Sequence, residues 1–145
     1  FLGINREGHA SIVSTSGNPN GHLVLRGGNR GTNYHLEAIQ ESAAELTGAG
    51  LPDRLMVDCS HANSSKDFRR QSEVLKAVAS QVDQKSDHVM GVMIESHLVE
   101  GNQKLSADRS SLTYGQSVTD ACISLETTGE LLGELAASVA RARFS

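Results

Sequence analysis

The sequence predicts an α/β fold, the C-terminal portion of a (β/α)8 barrel with an N-terminal β-hairpin, and three observations carry that prediction. Three apolar runs with strand character, LVLRGG, RLMVDCSH and HVMGVMIES, recur at regular intervals along the chain. Helical periodicity fills the space between them, and a last helix follows the third. Each run ends on a polar residue of the kind active sites use: Arg26, His61 and Glu95. Successive parallel strands would point these ends the same way, toward the edge where parallel α/β folds bind ligands. Repeating β-α units that finish on a helix fit the closing half of a barrel, and a small open doubly wound sheet is the alternative. A whole barrel takes roughly 250 residues, so a chain of 145 residues would supply a partial domain. Within it, residues 1–22 read as hairpin and loop and residues 23–145 as three β/α units.

The elements follow in order. FLGI and ASIVSTS are extended pieces separated by the turn-like NREG, and the loop GNPNG leads into the first central strand. Asn33 is placed to cap a helix whose apolar residues Leu36, Ile39, Ala43 and Leu46 share a face, with Gly48 and Gly50 ending it before Pro52. The strand RLMVDCS comes next. After the polar loop HANSSKD, a helix from about Phe68 sets Val74, Leu75, Val78 and Val82 on one side. The strand HVMGVMIES follows it. The stretch from Glu100 to Ser117 lacks periodicity and is long for a connector, which marks it as functional or partly mobile. In the last helix Thr127 and Glu130 have capping-box spacing, Leu131, Leu135 and Val139 form the stripe, and Arg141 and Arg143 suit the C-terminal dipole.

Composition excludes several classes of partner. Seventeen acidic against thirteen basic side chains give a formal charge of -4, so no basic surface recommends nucleic acid. No apolar run approaches the length of a membrane span, and no signal peptide is visible, so the expectation is a cytoplasmic protein that contacts no membrane. Cys59 and Cys122 lack CxxC spacing and are expected to stay reduced. The chain opens on FLGIN, residues of a strand interior with no methionine before them, from which we expect a fragment that starts within a domain. Strands cut from a barrel would leave apolar faces such as Val24, Met56, Val92 and Ile94 uncovered.

Four residues carry candidate chemistry. Arg26 precedes Gly27 and Gly28, and a guanidinium beside backbone without Cβ atoms can grip a phosphate or carboxylate while NH groups approach closely. The plainer reading is an arginine paired to a nearby carboxylate, with glycines serving the turn alone. His61 stands where a strand enters a loop of small polar residues; by itself it would be read as structural or exposed. Glu95 ends an otherwise apolar strand, and burying its carboxylate unpartnered would cost several kcal/mol, so it needs a cation or a metal. Asp120, in SVTDAC, would alone be a turn or capping residue. Taken together, an imidazole and two carboxylates suit one divalent metal ion, manganese, iron, cobalt or zinc, better than calcium. If His61 points into a barrel, strand alternation sets Cys59 on the same face one layer deeper, where it serves the core better than the metal.

These residues lie in longer motifs. LRGG, VDCSHANSSKDFRRQ, GVMIESHLVEGNQ, LTYGQSVTDACISLE and the opening FLGIN with SGNPNGH resemble the C-terminal part of microbial 3-deoxy-D-arabino-heptulosonate-7-phosphate (DAHP) synthases of the first type. The resemblance is contiguous along the chain. It implies a (β/α)8 barrel that condenses phosphoenolpyruvate with erythrose 4-phosphate, releasing phosphate, at the first step of the shikimate pathway. It also implies that Arg26 binds phosphoenolpyruvate and that His61, Glu95 and Asp120 bind the metal. The family's fourth metal ligand, an early cysteine, and its KPRT-type and GFKNGTD-type motifs are absent from these residues, and neither Cys59 nor Cys122 occupies the position of that cysteine. Catalysis is therefore expected to need the N-terminal half of the same enzyme, in a homo-oligomer. The segment Phe1 to Ser16 resembles one that lies near the family's feedback-inhibitor site. A noncatalytic or regulatory module that retains phosphate or metal affinity, and another metal-dependent barrel aldolase, are the alternatives.

Overall fold

The computed structural model describes residues 1–144. The first two strands, β1 (Leu2–Ile4) and β2 (Ala10–Ile12), pair antiparallel with Leu2 opposite Ile12. Asn5 sets the turn: its Oδ1 accepts from the Glu7 and His9 amides at 3.1 and 2.9 Å. The predicted hairpin is present, and its apolar side chains face solvent, with Leu2, Ile4 and Ile12 between 77% and 85% exposed.

The central sheet comprises β3 (Leu23–Leu25), β4 (Leu55–Asp58) and β5 (Val89–Met93), parallel and in that order. Leu25 lies opposite Val57 and Val57 opposite Val92, with a register shift at Leu55/Met56. Two helices return the chain between these strands: α1 (Leu36–Gly48) after β3 and α2 (Gln71–Asp83) after β4. Both end in the same way. The Leu51 and Gly50 amides bond back to the Leu46 and Thr47 carbonyls, and those of Ser86 and Lys85 to Gln81 and Val82. This pairing needs a residue at positive φ, supplied by Gly50 at +70° and, less commonly for a residue with a Cβ, by Lys85 at +65°.

The core is built on the face that the helices cover. Leu25, Leu55, Val57 and Cys59 meet Ile39 of α1 and Val74, Leu75 and Val78 of α2. Along the other face Val24 is exposed, as are Met90 and Met93, while Met56 is half-buried. Val92 and Ile94, expected to be uncovered, instead pack against the core.

Three expectations give way here. The first is the strand that precedes the last helix. After β5 the chain forms β6 (Ser96–His97) and β7 (Val99–Asn102), and β7 pairs in parallel with β8 (Gln116–Ser117). It then enters a further parallel strand, β9 (Ile123–Ser124), beside β6. The last helix, α3 (Leu125–Phe144), thus follows β9 rather than the third predicted strand. Two strand residues, of which Ile123 alone is buried, leave no periodicity to detect. The second is the cap of α3: the Ser124 hydroxyl accepts from the Thr127 amide at 3.1 Å, which puts Thr127 inside the helix. The third is the start of α1, which His35 precedes without a side-chain cap; Asn33 is engaged elsewhere.

The long stretch before β8 is stitched by side-chain amides. Gln103 both donates to the Thr113 carbonyl and accepts from its amide, each at 2.8 Å. Gln116 Nε2 donates to the Glu100 carbonyl at 2.8 Å.

Candidate functional site

The C-terminal ends of β3 and β4, the end of the β5 segment and the approach to β9 surround one cleft of about 540 Å³, lined by Arg26, His61, Lys66, Glu95 and Asp120 among others. The four residues singled out in the sequence are thus brought together. Their surroundings differ, and the differences decide what each can do.

His61 is the best fixed. The ladder of β4 ends at Asp58, and one further bond, from the Cys59 amide to the Met93 carbonyl at 2.9 Å, extends the pairing. The backbone then turns, with His61 at φ +53° and Ser65 and Lys66 at +55° and +63°. A left-handed conformation at a residue with a Cβ is uncommon and collects at functional turns. Because of this turn, strand alternation does not reach His61, and the expected sharing of one face by Cys59 and His61 does not hold. Cys59 is fully buried in the core. Burial, with the Asp58 carboxylate adding to it, pushes its thiol up to about 12.

The ring of His61 is oriented by a carboxylate that the sequence reading passed over. His61 Nδ1 lies 2.6 Å from Asp58 Oδ2 and 2.6 Å from Ser60 Oγ. The Ser60 amide and hydroxyl both donate to Asp58 Oδ1 at 2.8 Å. Asp58 has no solvent exposure, and this network satisfies its charge. A proton held on Nδ1 leaves Nε2 as a lone pair facing the cleft. The signal was in the sequence: a carboxylate inside an apolar strand needs a partner, an inference drawn for Glu95 and equally due to Asp58.

Glu95 Oε1 lies 3.6 Å from His61 Nε2. Burial raises its carboxyl above the usual carboxylate range; the His61 ring opposes this, while Asp120 and Asp58 add to it and the nearby Ser60 side chain lowers it. Its backbone is pinned by buried Gln71, which accepts from the Glu95 amide at 2.8 Å and donates to its carbonyl at 3.1 Å. Asp120 is exposed at the rim. Among the described residues, no group of three or more His, Cys, Asp or Glu side chains is drawn together closely enough to hold a metal ion.

Arg26 leaves β3 toward the cleft, and neither it nor Lys66, a residue the sequence reading did not select, has a side-chain partner among the described residues. The plainer reading of Arg26, a guanidinium paired to a carboxylate of this chain, is therefore not met. Gly27 explains how Arg26 comes beside His61. At φ +74°, a Cβ there would meet Ala62 Cβ at 2.8 Å and the Ala62 carbonyl carbon and Asn63 nitrogen at 2.9 Å. Only a glycine lets the two loops approach so closely.

The chain is similar to known proteins. The profile of the DAHP synthetase I family matches residues 3–133. The Tyr-sensitive phospho-2-dehydro-3-deoxyheptonate aldolase of Escherichia coli K12 is 47% identical over 135 residues, 93% of this chain and 38% of that protein. Its Phe-sensitive counterpart in the same organism is 48% identical over 139 residues, 96% of this chain and 39% of that protein. A solved phospho-2-dehydro-3-deoxyheptonate aldolase from Francisella tularensis SCHU S4 superimposes with a TM-score of 0.84 at 43% identity, over 98% of this chain and 41% of the other. The chain thus spans well under half the length of these relatives.

Proposed function

The chain belongs to the DAHP synthetase I family, and on that premise we propose that it is the C-terminal part of a (β/α)8 barrel enzyme that condenses phosphoenolpyruvate with erythrose 4-phosphate to DAHP. One observation carries the reading: Arg26, His61, Glu95 and Asp120 line a single cleft at the ends of parallel strands. The exposed Val24, Met90 and Met93 support further strands closing over the uncovered face. Cover of the hairpin residues Leu2, Ile4 and Ile12, by the rest of the protein or by a second copy in a homo-oligomer, belongs to the same reading. A cytoplasmic location does too; no described helix is long and apolar enough to cross a membrane.

His61, Glu95 and Asp120 would hold one divalent metal ion, manganese, iron, cobalt or zinc, with a further ligand from outside these residues. The donor types fit, and two of them are already close: an imidazole whose Nδ1 is held by Asp58, leaving Nε2 free, stands 3.6 Å from a carboxylate, while Asp120 stands apart at the exposed rim. When bound, such an ion supplies Lewis acidity at the aldehyde oxygen of the sugar phosphate. The chain's own residues do the rest. Arg26 and Lys66 offer cations to the anionic groups of the substrates, with Arg26 placed to bind phosphoenolpyruvate, and Gly27 lets the Arg26 loop close on His61. Asp58 and Ser60 keep the His61 ring from rotating.

The test is steady-state kinetics of the full-length protein that contains this chain. Loss of a charge-assisted contact worth about 1.5–3 kcal/mol predicts that Arg26→Ala raises the KM for phosphoenolpyruvate by roughly 10- to 150-fold. The KM for erythrose 4-phosphate should move far less. An equal rise in both would make Arg26 structural. A wild-type protein that binds metal and phosphoenolpyruvate yet never forms DAHP would favour a noncatalytic module.

A further inference from the structure

The connection after β4 and the first residue of α2 carry two buried side-chain amides that face in opposite directions. Asn63 is 1% exposed and Gln71 has no exposure. Asn63 reaches toward β3: its Nδ2 donates to the Leu25 carbonyl at 3.0 Å and to the Asp58 carbonyl at 2.9 Å. Its Oδ1 accepts from the Asn33 amide at 2.8 Å, and Asn33 Oδ1 in turn accepts from the Gly27 amide at 2.7 Å. The backbone on both sides of Arg26 is thereby tied to the loop that bears His61. Gln71 reaches the other way and takes both backbone groups of Glu95.

Neither amide lines the cleft, and both use their donors and acceptors entirely on backbone. An amide that served only to fill space would be replaced by an apolar side chain at little cost, whereas each of these two matches the backbone of a neighbouring strand end. Strand ends of a parallel sheet are where the ladder stops and backbone groups lose their partners. These amides supply partners there, and in doing so they fix distances between side chains that belong to different strands.

We infer that Asn63 and Gln71 are positioning residues that act as two separate clamps: Asn63 sets Arg26 against His61, and Gln71 sets Glu95 against His61. The inference rests on the function proposed above for its ligands, but its geometry is independent of that function. It predicts separable defects. Asn63 governs the grip on the anionic substrate, and Gln71 governs the pair that would hold the metal.

The experiment uses the full-length protein with Asn63→Ala and Gln71→Met, and Asn63→Ser should the alanine variant not fold. Amide hydrogen exchange is read first. Asn63→Ala should speed exchange at the Asn33 amide by about tenfold or more and leave the Glu95 amide within about twofold, and Gln71→Met should do the reverse. Titration with Mn²⁺ and with phosphoenolpyruvate is read second. Gln71→Met should weaken Mn²⁺ by about tenfold with little change for phosphoenolpyruvate, and Asn63→Ala should do the opposite. If both variants loosen both amides alike, or shift both ligands equally or neither, the two-clamp inference is wrong. If wild-type protein binds neither ligand, the proposed function fails instead, and the exchange pattern alone upholds or overturns the clamps.

Discussion

The hairpin at residues 1–13 and the segment at residues 59–71, which runs from β4 into the first residue of α2, are equal in length and opposite in construction. In the hairpin, apolar side chains point outward: Phe1, Leu2, Ile4 and Ile12 are each more than 75% exposed. In the connection, polar side chains point inward: Ser60, Asn63, Ser64 and Gln71 are all at most 2% exposed. Polar groups can be buried here because each has a partner in this chain: Ser60 on Asp58, Ser64 on the His61 carbonyl, and Asn63 and Gln71 on backbone at neighbouring strand ends. Among the described residues nothing lies over the hairpin's exposed apolar side chains, and an isolated two-stranded ribbon is marginal in water. The site region is therefore organised from within, and the hairpin turns its apolar side chains outward.

The largest contrast should appear in chemical access. With its thiol pushed up to about 12 and no exposure, Cys59 should be alkylated at pH 8 more than about a thousandfold slower than in the denatured chain. Hairpin amides should exchange through local opening on the same sample. Alkylation of Cys59 at the rate of hairpin exchange would show that the two regions open together.

Next come the energies of side-chain removal. Leu75, fully buried under the sheet, should cost about 2–5 kcal/mol as Leu75→Ala by urea denaturation of the full-length protein, and Ile12→Ala, exposed in this chain alone, should cost more than about 1 kcal/mol there because the proposed cover buries it. An effect within about 0.5 kcal/mol at Ile12 would mean that the hairpin stays uncovered in solution. Asn63→Ala strips partners from buried carbonyls and an amide, at about 1–3 kcal/mol for each group left unpaired. Smaller again is the cap of α3: Ser124→Ala should cost about 1 kcal/mol, and Thr127→Val, which the sequence spacing would have made the damaging change, should cost less.

What could be read from sequence follows the same division. Apolar periodicity located β3, α1, β4, α2 and β5, because these elements bury a continuous stripe against one another. It missed β9, where the pattern spans only two residues and pairing with β6 supplies the rest. Arg26, His61 and Glu95 were legible as polar residues at strand ends and Asp120 only in their company, and the cleft unites the four. Asp58 was legible by the same rule and was passed over; Asn33, Asn63 and Gln71 were not legible. The role of these amides depends on contacts 5 to 38 residues away along the chain, which no local spacing encodes. Asn33 shows the difficulty well: its position before α1 gave it the look of a cap, while its side chain holds Gly27.

The central claim is that His61, oriented by Asp58 and set beside Glu95, is a metal ligand. Isothermal titration of Mn²⁺ into the full-length protein and its His61→Ala variant tests this most directly. Loss of a ligand predicts affinity weaker by at least about tenfold in the variant, with the fold intact by circular dichroism. Unchanged affinity would contradict the claim and leave His61 a structural residue of the β4 turn.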